Sequence, residues 1–357
     1  MTARPAAVTA DSADSAEPGP TPTPTPTPTP RRKRRRLRKV VLAIVGTLLV
    51  LIGITSTYQA IASSRDASRF SAPGQLIDVG SHKMHLNCTG TGSPTVLFDH
   101  ASGSLSAQWG LVQPKLAQVT RTCSYDRSGY GWSEDSPDGN DALTQASELD
   151  TLLQVAGETG PYVHVGHSSG AFISAIFASK HPNETAGVVM VEPGYVWGTP
   201  GMPADLDADV RSQESALANI NLWLARSGIG RLLGPVIMGG NDLPSAQQDP
   251  FDALALSTRQ FHTFKAEIES GEATATAVLA ARQDLRSTPL IVLSAMPEAD
   301  DRMGQEMRAT HHRLAESSTR GMHIDVENTD HMGIVLQEDA AAIVTDQIIG
   351  LIEETRG

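Results

Sequence analysis

Gly166-His167-Ser168-Ser169-Gly170 is the one Gly-x-Ser-x-Gly in the chain. It ends an apolar run, Tyr162 to Val165, and opens a helix-like stretch from Gly170 to Ser179. Strand, tight turn and helix in that order lift a serine hydroxyl above a sheet edge, and small residues must flank so sharp a turn. A hydroxyl is a weak nucleophile until a base takes its proton. His331, in Asp330-His331-Met332-Gly333, follows the run Met322–Val326 and precedes the final helix, where such a base is expected. Four other histidines fit less well: His311 and His312 fall in a predicted helix, His323 in a strand and His262 in the middle region. The acid that would orient the imidazole has three candidates. Glu192 is favoured, pinned between the run ending at Val191 and Pro193; Glu298 and then Asp300, after Leu290–Leu293, are the alternatives. Serine, histidine and acid together support acyl transfer, which also needs amide donors for an oxyanion. Ser169 N–H is placed by the turn itself, and Ser102 N–H, in the tight loop His100-Ala101-Ser102-Gly103, is the second choice. His100 is expected to buttress that loop.

These residues sit at the ends of short β-rich runs. Thr95–Phe98, Arg121–Asp126, Tyr162–Gly166, Gly187–Val191, Leu290–Leu293 and Met322–Val326 read as strands. Helical patterns separate them: a stretch carrying Trp109, Leu111, Val112 and Leu116, then Ala142–Val155, Gly170–Ser179, Met303–Glu316 and Ala340–Glu353. Such alternation predicts an α/β domain over residues 71–357, with a mostly parallel central sheet and helices on both faces. From about Gly194 to Ser287 the alternation stops. Helix-like runs at Leu206–Arg226, Phe251–Ser270 and Thr274–Asp284 predict a helical insertion there.

The 357 residues carry 28 Lys+Arg against 40 Asp+Glu, and the net charge of −12 excludes a typical nucleic-acid binder. The average hides a division. Residues 1–39 hold nine basic and three acidic residues, and the remainder 19 basic and 37 acidic. The start, Thr-Pro repeats from Thr21 to Pro30 followed by the basic block Arg31–Lys39, is expected to be a disordered cytoplasmic tail. Val40 to Ser64 contains no charged residue. As a helix its length is ~37 Å at ~1.5 Å per residue, enough to cross a hydrocarbon core of about 30 Å. The basic block should stay inside, which puts the C-terminal domain outside the cell membrane. Ala60-Ile61-Ala62 has the form of a signal-peptidase site, so secretion after cleavage near Ala62 is the alternative. Either way the domain is exported, and Cys88 and Cys123, in or beside predicted strands, are candidates for a disulfide.

The run Tyr125-Asp126-Arg127-Ser128-Gly129-Tyr130-Gly131-Trp132-Ser133, with the serine turn and Asp330-His331, resembles the α/β-hydrolase superfamily over residues 71–356. The resemblance implies that the 194–287 insertion forms a cap. Serine at 168 sets the chain apart from the similar haloalkane dehalogenases and epoxide hydrolases, which attack with an aspartate. Two departures stand out: Ala101 follows His100 where glycine is usual, and no Gly-x-x-Asp follows Leu293.

The expected activity is hydrolysis of a small acyl substrate such as an ester, without metal or organic cofactor, since no His/Cys/Asp/Glu cluster has ligand spacing. An aminopeptidase-like amidase is a second reading; it needs a cap carboxylate to hold an amine, with Glu214, Glu267 and Glu269 as candidates. A binding or scaffold protein on the same fold is the third. With aromatic residues at only 4%, an aromatic-lined pocket cannot be read off, and oligomeric state is not legible.

Overall fold

The computed structural model describes Gly19 and residues 30–237, 241–285, 287–297 and 301–357. The chain divides into two units, residues 1–50 and 51–357. Helix α1, Pro30–Arg69, runs through 40 residues and contains a stretch long and apolar enough to cross a membrane. It includes the basic block, expected from the sequence to lie in a structureless tail. Proline is tolerated in a first helical turn and Arg and Lys are good helix formers, so the helix begins before the apolar stretch does.

Among the described residues, the second unit is built on eight strands. They are β1 (Gln75–Asp78), β2 (Lys83–Thr89), β3 (Thr95–Asp99), β4 (Thr122–Tyr125), β5 (Tyr162–His167), β6 (Thr185–Val191), β7 (Leu290–Met296) and β8 (Gly321–Glu327). Between β3 and β4 lies α2 (Gln113–Leu116); α3 (Ala142–Ala156) precedes β5, and α4 (Gly170–Lys180) follows it. Among the described residues, five helices lie between β6 and β7: α5 (Ala204–Ser227), α6 (Ile229–Ile237), α7 (Ser245–Leu254), α8 (Thr258–Glu269) and α9 (Gly271–Asp284). α10 (Arg302–Glu316) precedes β8, and α11 (Gly333–Leu336) and α12 (Glu338–Arg356) end the chain.

The sheet order is β1-β2-β4-β3-β5-β6-β7-β8, antiparallel along β1-β2-β4 and parallel from β4 onward. Central strands are apolar on both faces because both are covered. Val96, Phe98, Val163, Val165, Val189 and Val191 pack with Val344, Ile348 and Ile352 of α12 on one side. Leu97 faces the other side, with Leu149 and Leu152 of α3 and Ile173 and Ile176 of α4.

Three elements differ from the sequence expectation. β1 is too short and exposed to show an alternating pattern. α6 was not expected. The run Phe251–Ser270, read as one helix, breaks after Leu254, where the Ser257 hydroxyl caps α8 by accepting from Gln260 N–H at 3.2 Å.

Cys88 and Cys123 are opposed residues on antiparallel β2 and β4 and are joined by a disulfide across a sequence separation of 35. Cross-linking a loop of that length removes denatured-chain entropy worth about 2–4 kcal/mol. The Cys88→Ser/Cys123→Ser variant is therefore expected to lose roughly that much stability, which denaturant unfolding would read as a lower midpoint with a slope that is somewhat steeper, because the released denatured chain exposes more surface.

Candidate active site

Ser168 stands at the end of β5 with φ of +55°, and its N–H donates to Val191 O at 3.0 Å, tying the turn to β6. The flanking glycines are steric necessities. A Cβ on Gly166 would fall 2.4 Å from the Ala171 nitrogen, and one on Gly170 would fall 2.6 Å from Asp99 O. The missing side chain at Gly166 lets the end of β5 close on the start of α4, and the one at Gly170 lets α4 approach the end of β3.

His331 lies in the turn between β8 and α11, with Nε2 at 3.0 Å from Ser168 Oγ. Two things hold that turn. Asp330 Oδ1 accepts from Met332 N–H and Gly333 N–H, which occupies this acid at the start of α11. The buried His167 ring places Nε2 at 2.8 Å from His331 O. His167 also contacts the Gln108 side-chain amide, whose oxygen accepts from Ala101 N–H at 3.3 Å. The last side chain of β5 thus links the His331 turn to the His100–Gly103 loop, a role the sequence reading did not assign to His167.

Glu192 follows β6 with φ of +42°. Its N–H donates to Leu293 O at 2.7 Å, and its Oε2 accepts from Ala295 N–H at 2.6 Å. Its other oxygen lies 3.8 Å from His331 Nδ1, an ion-pair distance longer than a hydrogen bond. Burial works to raise its pKa, but the His331 and His311 rings and the Ala295 amide outweigh it, leaving Glu192 below the ordinary glutamate value. Glu298 and Asp300 lie outside the described residues. Asp301 caps α10 through Gly304 N–H. His311 is buried, with Nε2 at 2.8 Å from Pro193 O and Nδ1 at 3.9 Å from Glu192 Oε2.

Ser102 and Ser169 meet through their hydroxyls at 2.8 Å. No acceptor among the described residues takes the N–H of either, and both line the same cavity as Ser168 and His331. The start of α4, at Ser169, adds its positive end there. His100 buttresses the loop as expected: it is buried, its Nδ1 is 2.8 Å from Ala101 O and its Nε2 accepts from Arg127 N–H at 3.2 Å. Burial first, and then the Arg127 charge, push its pKa down to about 3, so the ring is neutral.

Behind this loop lies a buried charge network that the sequence reading missed. Arg127 donates to Asp99 Oδ1 at 2.5 Å and to Glu267 Oε1 at 3.1 Å. Glu267 also accepts from Ser102 at 2.5 Å, Tyr130 at 2.7 Å and Gln145 at 2.6 Å. Burial would raise the pKa of Glu267; Arg127 and these donors hold it below the ordinary value. Through it α8 is fastened over the ends of β3 and β4. Of the other helical acids considered for an amine, Glu269 pairs with Lys265 on the surface, and Glu214 accepts from Trp197 Nε1 at 2.7 Å.

The cavity over Ser168 measures about 590 Å³. Its wall is mostly apolar and includes Phe172, Tyr195, Trp197, Phe251, Phe261 and Phe264, six of the sixteen aromatic residues in the chain. Composition alone did not reveal this lining: the aromatics are few but concentrated here. Among the described residues, Cys88, Cys123 and Glu158 form a cluster of potential metal-binding side chains, but the sulfurs are tied in the disulfide and Glu158 pairs with Arg121. It does not offer thiolate ligands.

A mostly parallel sheet with a serine on the sharp turn after β5 and a histidine after the last strand defines an α/β-hydrolase fold. The chain belongs to the alpha/beta hydrolase family, whose sequence pattern matches residues 96–346. It is 31% identical over 199 residues, 47% of this chain and 36% of its relative, to an uncharacterized protein of Schizosaccharomyces pombe. It is 30% identical over 93 residues, 26% of this chain and 33% of the relative, to a bifunctional esterase/perhydrolase of Acinetobacter calcoaceticus. The chain thus matches well under half the length of these two curated relatives. In fold it is similar to a thermophilic esterase from Thermogutta terrifontis, at 18% identity and a TM-score of 0.56 over 78% of this chain and 98% of the other.

Proposed function

We propose that the protein is a membrane-anchored serine hydrolase that cleaves an ester or related acyl bond through an acyl-enzyme. The observation that carries this reading is the 3.0 Å contact between His331 Nε2 and Ser168 Oγ on the wall of a largely apolar cavity, with Glu192 behind the imidazole. Ser168 Oγ attacks the acyl carbon while His331 Nε2 takes its proton, and the Ser169 and Ser102 amides receive the charge on the carbonyl oxygen. His331⁺ then protonates the leaving group. Water, deprotonated by the same nitrogen, releases the acid and restores the serine. Glu192 steadies the imidazolium, and its contact with Nδ1 tightens as that charge appears.

The uncharged stretch of α1, preceded by the basic block, supports an anchor with its N-terminus inside and the hydrolase unit outside. The disulfide agrees with an oxidising compartment. Helices α5 to α9 act as the cap that shapes the acyl site.

The amidase reading loses one of its candidate acids, Glu267. Both of its oxygens are already used by Arg127, Ser102, Tyr130 and Gln145, so no capacity is left for a substrate ammonium. Turnover of 4-nitrophenyl acyl esters set beside aminoacyl anilides tests the assignment. Ester hydrolysis that exceeds anilide hydrolysis is expected. Preference for the anilides would move the assignment to the amidase, and folded protein inert toward both would favour a binding protein.

A further inference from the structure

The last turns of α1 are bonded to the cap. Thr55 Oγ1 donates to Ser227 O at 2.5 Å, and Gln59 Nε2 donates to Leu256 O at 2.9 Å. Arg231 donates to Gln59 Oε1 at 2.9 Å and pairs with Asp66 at 2.7 Å. The approach is close: a Cβ on Gly228 would fall 2.2 Å from Thr55 O. By sequence, Thr55 and Gln59 lie within the uncharged stretch Val40–Ser64, of which about 20 residues are needed to cross a hydrocarbon core. Polar side chains at such a depth need internal partners, and the cap supplies them.

The cap elements next to these bonds carry an uncovered apolar face. On α5, Leu217, Ile220 and Trp223 recur every three residues and are 52%, 54% and 54% exposed. Leu232 and Leu233 on α6 are also exposed, just past the Gly228 contact. On a surface bathed in water this face would be costly; a tryptophan among aliphatics suits a membrane–water boundary. The same two helices form part of the wall of the cavity over Ser168, through Leu217, Leu224, Ala225 and Gly230.

We infer that this face of the cap rests in the outer leaflet of the membrane that holds α1, and that the substrates are membrane-resident esters with a long aliphatic acyl chain. Such a chain passes from the leaflet across the α5–α6 wall into an apolar cavity without crossing bulk water. The inference rests on the anchored serine hydrolase proposed above and names its substrate class.

The test uses full-length protein in phosphatidylcholine vesicles. Two esters are compared, vesicle-embedded 4-methylumbelliferyl palmitate and water-soluble 4-methylumbelliferyl acetate, for the wild type and for Ile220→Glu/Trp223→Glu. Neither residue lines the cavity. The variant is expected to lose about tenfold or more on the embedded ester, with less than about a twofold change on the soluble one. An embedded-ester rate that is unchanged, or that falls only in step with the soluble rate, overturns the inference. Quenching of tryptophan emission by lipids brominated in their acyl chains gives a second reading that needs no disruptive substitution. Trp223→Phe is expected to remove a quenched component, and identical quenching with and without Trp223 overturns the inference. Soluble-ester hydrolysis that is absent in the wild type, or that persists in Ser168→Ala, refutes the serine hydrolase instead, and the quenching then decides the surface alone.

Discussion

Ser168→Ala is expected to lower kcat/KM for an activated ester by roughly 10⁴-fold or more, and His331→Ala by a similar factor. The double variant should be little worse than either single one. The reason is the shared proton: without the imidazole 3.0 Å away, the Ser168 hydroxyl stays a poor nucleophile, and without the hydroxyl the imidazole has nothing to activate. The residual rate comes from the Ser169 and Ser102 amides and from substrate binding, which neither change removes. Stability should be almost untouched. Alanine at 168 keeps the same φ of +55° and the same N–H bond to Val191 O, so the thermal midpoint is expected to stay within about a degree or two. Steady-state kinetics of the two single variants and the double variant check this. Multiplying losses would mean that the two residues act independently, contrary to the proposed mechanism.

Glu192→Gln is the second large effect, a fall in kcat of roughly 10²–10⁴-fold. The glutamine oxygen can still accept from Ala295 N–H, which leaves its NH₂ group facing His331 Nδ1. A donor there favours the imidazole tautomer with its proton on Nε2, the wrong one for taking a proton from Ser168. The same substitution should change the acid side of the stability profile. Glu192 has a folded-state pKa below its unfolded value of about 4.3. Its contribution to stability is therefore present above the unfolded value and is lost as pH falls through the lower folded one. Glu192→Gln should lack that part of the acid loss. Denaturant unfolding at several pH values between about 3 and 7 reads the difference; parallel profiles would contradict a stabilised carboxylate at this position.

What the sequence made legible was local. The serine turn could be read because its glycines, the strand before it and the helix after it are consecutive in the chain. His331 followed from its place after the last strand, and Glu192 from a strand end fixed by a proline. The charge network could not be read the same way: Arg127 and Glu267 stand 140 residues apart, and each alone looks like an ordinary surface charge. A hint was available, because Arg127 is a charge placed directly after a buried strand that otherwise favours apolar residues. The link from His167 through Gln108 to Ala101 depends on loop packing that no spacing encodes. The aromatic wall was missed for a related reason. Composition counts residues over the whole chain, whereas the fold gathers Phe172, Phe251 and Phe264 from three separate helices. Periodicity also joined α7 to α8, because the apolar spacing continues across the Ser257 cap that separates them.

The most direct test of the account is covalent. Full-length wild type and Ser168→Ala would each be treated with a fluorophosphonate, and the modified peptide located by mass spectrometry. The account predicts a single stoichiometric adduct on Ser168, slowed sharply in His331→Ala and missing from Ser168→Ala. Folded wild-type protein that takes up no label, or label that persists at another residue in Ser168→Ala, would contradict an activated serine at this turn.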